Sequence, residues 1–147
     1  MSLLALSPDL LVDIATGLAT AEDLWRPLAA HSGTDRHSVR LLATDEYEAW
    51  LLGWLPGHRV DLHDHGRSAA AIVVVSGQLV ELRPMRSNTI RTLTVAEPVT
   101  VPVGEVHDVL NLGEAPATSI HVYSPPLTEM TFYDDSGTRP LHTVPVE

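Results

Sequence analysis

Three histidines carry the first chemical signal in this chain. His63-Asp64-His65 lies in a run with strand character, and His107 lies within Pro102-Val103-Gly104-Glu105-Val106-His107-Asp108-Val109-Leu110-Asn111. Residues two apart on a β-strand point to the same face, so His63 and His65 can hold one ion together while Asp64 points away. His107 would close the triangle from another strand. Imidazole suits Fe, Zn, Cu and Ni. Three protein ligands leave coordination positions open, which is the arrangement of a catalytic metal site rather than a structural one. A second constellation is Ser119-Ile120-His121-Val122-Tyr123-Ser124-Pro125-Pro126-Leu127. Its alternation puts Ser119, His121 and Tyr123 on one strand face, where a hydroxyl, an imidazole and a phenol in line can form a hydrogen-bond relay. Taken alone, both groups also fit a plainer reading, as unrelated surface histidines and as the solvent face of an ordinary strand.

Elements must hold these residues in place, and the chain divides in two. Ser7-Pro8-Asp9 reads as an N-cap, a proline at the first helical position and an acid in the first turn. Leu10, Leu11, Ile14 and Leu18 follow at helical spacing. Thr20-Ala21-Glu22-Asp23 starts a second helix with an acid at the capping position, an apolar face of Leu24, Trp25 and Leu28, and Pro27 to kink or split it. Ser32-Gly33-Thr34-Asp35 reads as a turn. Beyond it, short apolar or alternating runs are cut by turn signals, the pattern of a sandwich or barrel. The runs are 37–44, 47–55, 60–64, 69–75, 78–83, 89–95, 99–101, 106–111, 117–123 and 129–133. The expectation is one all-β domain over 1–147, with residues 1–32 as a helical N-terminal segment too short for a core of its own.

Around the histidines the remaining candidates read as support. Asp64 and Asp108 alternate away from them and Asp61 shares the face of His63; all three read as solvated surface or as hydrogen-bond partners of the ligands. Trp50, Leu52 and Trp54 share a face and read as core or pocket wall. His31, His37, His58 and His142 read as exposed.

Composition narrows the function. The 147 residues carry a formal net charge of −10 and no cysteine. No disulfide framework is possible, and any catalytic thiol must belong to a substrate. So acidic a chain is poorly suited to a phosphate backbone or an anionic membrane surface. The apolar start Met1–Leu6 has no basic flank, the first basic residue being Arg26, and no run approaches the roughly 18 apolar residues of a membrane span. The expectation is a soluble cytoplasmic protein with no nucleic-acid or membrane partner, and a monomer is favoured.

Two spacings resemble a known superfamily. Gly57, five residues, His63, one residue, His65, four residues, Ala70, six residues and Gly77 resemble the first cupin motif, and Pro102-x-Gly104-x-x-His107-x-x-x-Asn111 resembles the second. Most cupins have a glutamate ligand where Ala70 stands. Its loss leaves an all-histidine site that keeps the full charge on the ion and favours an anionic ligand such as a thiolate. With the Ser-x-His-x-Tyr-Ser-Pro-Pro run and Trp54-x-x-Gly57, residues 36–133 resemble the thiol dioxygenases, cysteine dioxygenase in particular.

The resemblance implies a small jelly-roll-like cupin β-barrel holding one Fe(II) through His63, His65 and His107. It implies oxidation of a small thiol, L-cysteine first, to its sulfinic acid by O2. Tyr123 would hydrogen-bond the reacting group with His121 and Ser119 behind it, and Arg40 would bind the substrate carboxylate, with Arg36, Arg59 and Arg67 as competitors. The chain departs from animal members, which have a cysteine at Ala70 that cross-links to the tyrosine matching Tyr123, a cysteine at Met130, a histidine at Ala69 and a tyrosine at Ser38. A mercapto acid, cysteamine or a thiol-histidine derivative therefore stays open as substrate. Also open are a three-histidine zinc or nickel hydrolase or isomerase, and a non-enzymatic cupin that binds a small ligand.

Overall fold

The computed structural model describes residues 4–31, 36–86 and 88–146. Helix α1 spans Pro8–Thr20, and the Ser7 hydroxyl accepts from the Leu10 N–H at 3.2 Å. Leu11 and Ala15, one turn apart, are its buried residues, whereas Leu10 is 44% exposed. Helix α2 is a single turn, Glu22–Trp25. Its N-cap is Ala21, with no side-chain cap bond, so the expected acidic cap is not formed. Pro27 turns the chain into the 3-10 segment Arg26–Leu28 because it has no N–H to continue an α-helical ladder. The expected apolar face shrinks to Trp25, whose indole N–H donates to the Ala19 carbonyl; Leu24 and Leu28 are exposed. The turn expected at Ser32–Asp35 lies outside the described residues.

Eleven strands follow among the described residues: β1 His37–Ala43, β2 Glu48–Trp54, β3 His63–Asp64, β4 Ala69–Ser76, β5 Leu79–Arg83, β6 Thr89–Leu93, β7 Val99–Val101, β8 Asp108–Leu110, β9 Ala117–Ser124, β10 Glu129–Tyr133 and β11 Pro140–Pro145. Ten fall within the expected runs or extend one by a residue. The eleventh, β11, lies past the expected barrel limit at residue 133. It is an exposed edge strand with proline at both ends, which an edge tolerates. Run 60–64 is interrupted at Asp61, which takes a left-handed φ of 83°: the Val60 N–H bonds the Val109 carbonyl, and the strand proper begins at His63.

One layer is the five-stranded sheet β1-β2-β9-β4-β7. Opposite it lie two three-stranded sheets, β11-β10-β3 and β6-β5-β8, stitched together by an antiparallel bridge between His63 and His107. The glycines of the motif frames make the corners. Gly77 ends β4 at φ 75°, where a Cβ would meet the Pro116 carbonyl oxygen at 2.6 Å. Gly104 turns at φ 80° between Pro102 and Glu105, whose N–H bonds the Pro102 carbonyl.

The five-stranded sheet is buried on both faces. One face packs Ala49, Leu51, Ala71, Val73, Ile120 and Val122 under Leu11, Ala15 and Trp25 of the helices. The other packs Leu52, Trp54, Ala70, Ile72, Val74, Val101 and Tyr123 against Leu79, Val109 and Leu127. A cavity of about 260 Å³ opens between the layers, with the three histidines in its wall.

Candidate metal centre

The three histidines meet by their Nε2 atoms. Those of His63 and His65 are 3.1 Å apart, and those of His107 and His65 are 3.4 Å apart. All three rings are buried, and among the described residues they form the sole group of three or more potential ligands close enough to share one ion. No acid completes the set: Ala70, at the position of the usual motif glutamate, is buried opposite Tyr123.

The outer ring nitrogens show which atoms carry protons. His63 Nδ1 lies 2.7 Å from the Asp61 carbonyl oxygen, and His107 Nδ1 lies 2.8 Å from Glu81 Oε2. A carbonyl and a carboxylate only accept, so both Nδ1 atoms donate and both Nε2 atoms present lone pairs. Burial, reinforced by the neighbouring histidines, pushes His63 and His65 well below the ordinary imidazole range. Neutral imidazoles turning lone pairs toward one point at about 3 Å repel unless a cation sits among them. The donor set therefore fits a divalent metal held by nitrogen.

Support comes from three directions. Asp108, expected to point away from the ligands, is buried and takes the Asp61 N–H at 2.9 Å and an ion pair from Arg59. That fixes the loop whose carbonyl orients His63. Asp64 also points away and accepts from the Tyr133 hydroxyl at 2.6 Å. Glu81 was not singled out in the sequence and is the most telling of the three. It is buried between His107, Arg83 and Arg91. Burial alone would raise its carboxyl, but the hydrogen bond from His107 and the Arg83 charge pull it down to about 2.

Ser119, His121 and Tyr123 come together on β9 facing the cavity side. Ser119 Oγ is 2.8 Å from His121 Nε2, and Tyr123 Oη is 3.4 Å from His121 Nδ1. Burial above all lowers His121 to about 3, so the ring is neutral. Burial also raises the Tyr123 phenol, which keeps its proton. The Tyr123 ring packs 5.2 Å from that of His65, which brings the relay to the metal ligands. Trp54, expected as core or wall, adds a further member: its Nε1–H donates to Ser119 Oγ at 2.9 Å.

Arg40 does not line the cavity. Its side chain is half exposed and pairs with Glu48 at 3.7 Å. Arg40 lies opposite Trp50 on the edge strand β1, on the same side as Ser38, and the Glu48 carboxylate is what engages its guanidinium. Arg36, just before β1, does line the cavity, and its guanidinium carbon lies 5.1 Å from the Trp54 ring centre. Of the histidines expected to be exposed, His142 is; His31 is half-buried, its Nε2 2.8 Å from Thr118 Oγ1.

Two facing sheets with convergent histidines between them define a cupin. Solved structures agree on the fold. A protein from Thermus thermophilus superposes with TM-score 0.62 at 20% identity, covering 69% of this chain and 93% of that one. An uncharacterized conserved protein with a double-stranded β-helix domain from Klebsiella pneumoniae gives 0.61 at 17%, covering 83% and 93%. A cupin superfamily protein from Desulfitobacterium hafniense gives 0.58 at 15%, covering 69% and 87%. Within that fold, residues 7–136 match the description of cysteine dioxygenase type I, and the chain belongs to that family.

Proposed function

We propose that this chain is a non-haem iron thiol dioxygenase, converting a small carboxylate-bearing thiol, L-cysteine first, to its sulfinic acid. The observation that carries the reading is the pairing of an all-histidine ligand set with the relay that ends in Tyr123, in a chain of this family. The reaction balances without a further reductant: one thiol and one O2 give one sulfinic acid, with both oxygen atoms on sulfur. One Fe(II) held by His63, His65 and His107 would supply the electron transfer that O2 needs to react with a thiol.

The protein's part is orientation and electrostatics. Arg36 meets the substrate carboxylate with its planar fork. Among the described residues, those lining the cavity include no aspartate or glutamate, so an anionic substrate meets no opposing charge from them. Trp50, Leu52, Val60, Leu127 and Met130 give the cavity apolar walls that exclude water. Tyr123, a neutral phenol, donates a hydrogen bond to the charge that develops on oxygen or sulfur.

The test is O2 uptake and sulfinate formation by anaerobically iron-loaded protein with a panel of L-cysteine, a mercapto acid, cysteamine and a thiol-histidine derivative. Uptake of one O2 per sulfinate with a carboxylate-bearing thiol is expected. No uptake with any thiol would sink the proposal in favour of a ligand-binding cupin. The ligand set itself favours one other reading, a zinc or nickel hydrolase or isomerase, since three histidines also suit Zn2+. Elemental analysis of protein purified without added metal separates the two.

A further inference from the structure

Trp54 is fully buried, its ring is stacked 6.2 Å from that of His121, and its Nε1–H reaches Ser119 Oγ. Indole N–H is a donor and cannot accept. Ser119 is also fully buried, and its hydroxyl has two hydrogen-bond partners among the described residues, Trp54 Nε1 and His121 Nε2. A hydroxyl owns one proton. If His121 Nε2 were protonated, Ser119 would face two donors, and its own proton would have no acceptor in a dry site, an arrangement the buried environment penalises. With Trp54 donating, the Ser119 proton must go to His121 Nε2. A neutral His121 then carries its proton on Nδ1 and gives it to the Tyr123 oxygen. The Tyr123 hydroxyl proton is left to point into the cavity.

We propose that Trp54 is a positioning residue that sets the direction of the whole relay, from Trp54 through Ser119 and His121 to Tyr123, so that Tyr123 faces the substrate as a hydrogen-bond donor. The inference deepens the dioxygenase reading and rests on it for its purpose, though the proton arrangement stands on the geometry alone. Without the indole N–H, Ser119 can accept from His121 instead of donating to it. The imidazole then turns over to its other tautomer, and Tyr123 must give its proton to Nδ1 rather than to the substrate. No atom moves far, and only proton positions change.

The experiment reads those protons directly. Long-range proton–nitrogen NMR on nitrogen-labelled, zinc-loaded protein reports which His121 nitrogen is protonated, with no turnover required. The wild-type protein should show His121 protonated at Nδ1. A protein protonated at Nε2 overturns the proposal. Trp54→Phe, which keeps a ring under Arg36 and removes the donor, should lower the ratio of Nδ1–H to Nε2–H by about tenfold, the worth of one hydrogen bond. An unchanged ratio assigns the direction to something other than Trp54 and also overturns the proposal. Should Trp54→Phe fail to fold, benzothienylalanine at position 54 keeps the ring shape and lacks the N–H, and the same two outcomes apply. The readout is separate from the function: a protein that oxidises no thiol but shows the Trp54-dependent tautomer loses the dioxygenase reading and keeps this one.

Discussion

Strand β9 has two faces that bear opposite burdens, although every one of its residues is buried. Toward the helices it presents Ile120 and Val122, which pack with Leu51, Ala71 and Val73 of its neighbours beneath α1. Between Thr118 and Ser124 that face is apolar, and none of its β9 residues is titratable. Toward the cavity it presents Ser119, His121 and Tyr123, each with a polar partner. The fold is therefore anchored on one side of a sheet while chemistry is arranged on the other, one residue away along the chain. Buried polar groups are tolerated where their hydrogen bonds are complete, and the rigid apolar face behind them holds the relay in register.

The largest expected effect comes at the ligand group that shares the cavity with the polar face. His107→Ala removes a ligand and leaves the Glu81 carboxylate facing an empty site, so metal retention and turnover should both be lost. Elemental analysis and O2 uptake check this, and full metal content in the variant would remove His107 from the ligand set.

Next comes a pair of substitutions within four residues of one strand. Ile120→Ala deletes buried apolar volume and should reduce stability by about 2–5 kcal/mol, with kcat close to wild type in the fraction that stays folded. Tyr123→Phe keeps the volume and should lower kcat by about one to three decades, with the unfolding midpoint and metal content nearly unchanged. Urea unfolding and single-turnover assays separate the two. Equal effects on both readouts from both variants would mean that the faces do not divide the labour.

A gentler probe is acid. His63, His65 and His121 are held neutral by burial, so between the unfolded value near 6.5 and the folded value, about 3 for His121, the unfolded chain binds more protons than the native one. The sign follows: stability is complete above about pH 6.5 and falls as pH drops toward 3, each such proton changing the unfolding constant about tenfold per pH unit. Metal-free protein should lose stability between about pH 7 and about pH 5 in urea titrations, and His121→Gln should flatten that slope by about one proton. A flat profile would place these rings in water.

How far these faces could be read from the sequence differs along the chain. His63, His65 and His107 were legible because two spacings, not one, surround them, and the Ser7 cap because its signals are local. Glu81 was not. In Leu79-Val80-Glu81-Leu82-Arg83 both alternating sets contain apolar residues, and hydrophobicity favours Val80 and Leu82 inside, yet Leu79, Glu81 and Arg83 are the buried set. The charges are inside because each has a partner, and partners from other strands cannot be read from one run. Trp54 was readable as wall but not as donor, since its role depends on Ser119 lying on the neighbouring strand within reach of its ring nitrogen. Strand β11 escaped because an exposed edge needs no apolar alternation, and Val146 just beyond it, which lines the cavity, escaped with it.

The smallest expected effect distinguishes the two arginines at the sheet's edge. The resemblance implies Arg40 as the carboxylate anchor, and it does lie on the same side of β1 as Ser38, which lines the cavity. What decides against it is charge: its guanidinium is engaged with Glu48, itself buried and accepting the Leu127 N–H at 3.1 Å. A half-exposed pair at 3.7 Å is a weak one, so Arg40→Gln should change stability by no more than about 1 kcal/mol. Its KM for the carboxylate-bearing thiol should stay within about threefold of wild type, because no contact to substrate is lost. Arg36→Gln, made on the cavity wall, should raise that KM by about one to two decades, the worth of a charge-assisted hydrogen bond in a partly dry site, and should leave cysteamine, which has no carboxylate, unaffected. If Arg40→Gln instead raises KM as strongly as Arg36→Gln, the Arg40 side chain must swing from Glu48 to the substrate on binding, and the anchor belongs to β1 after all.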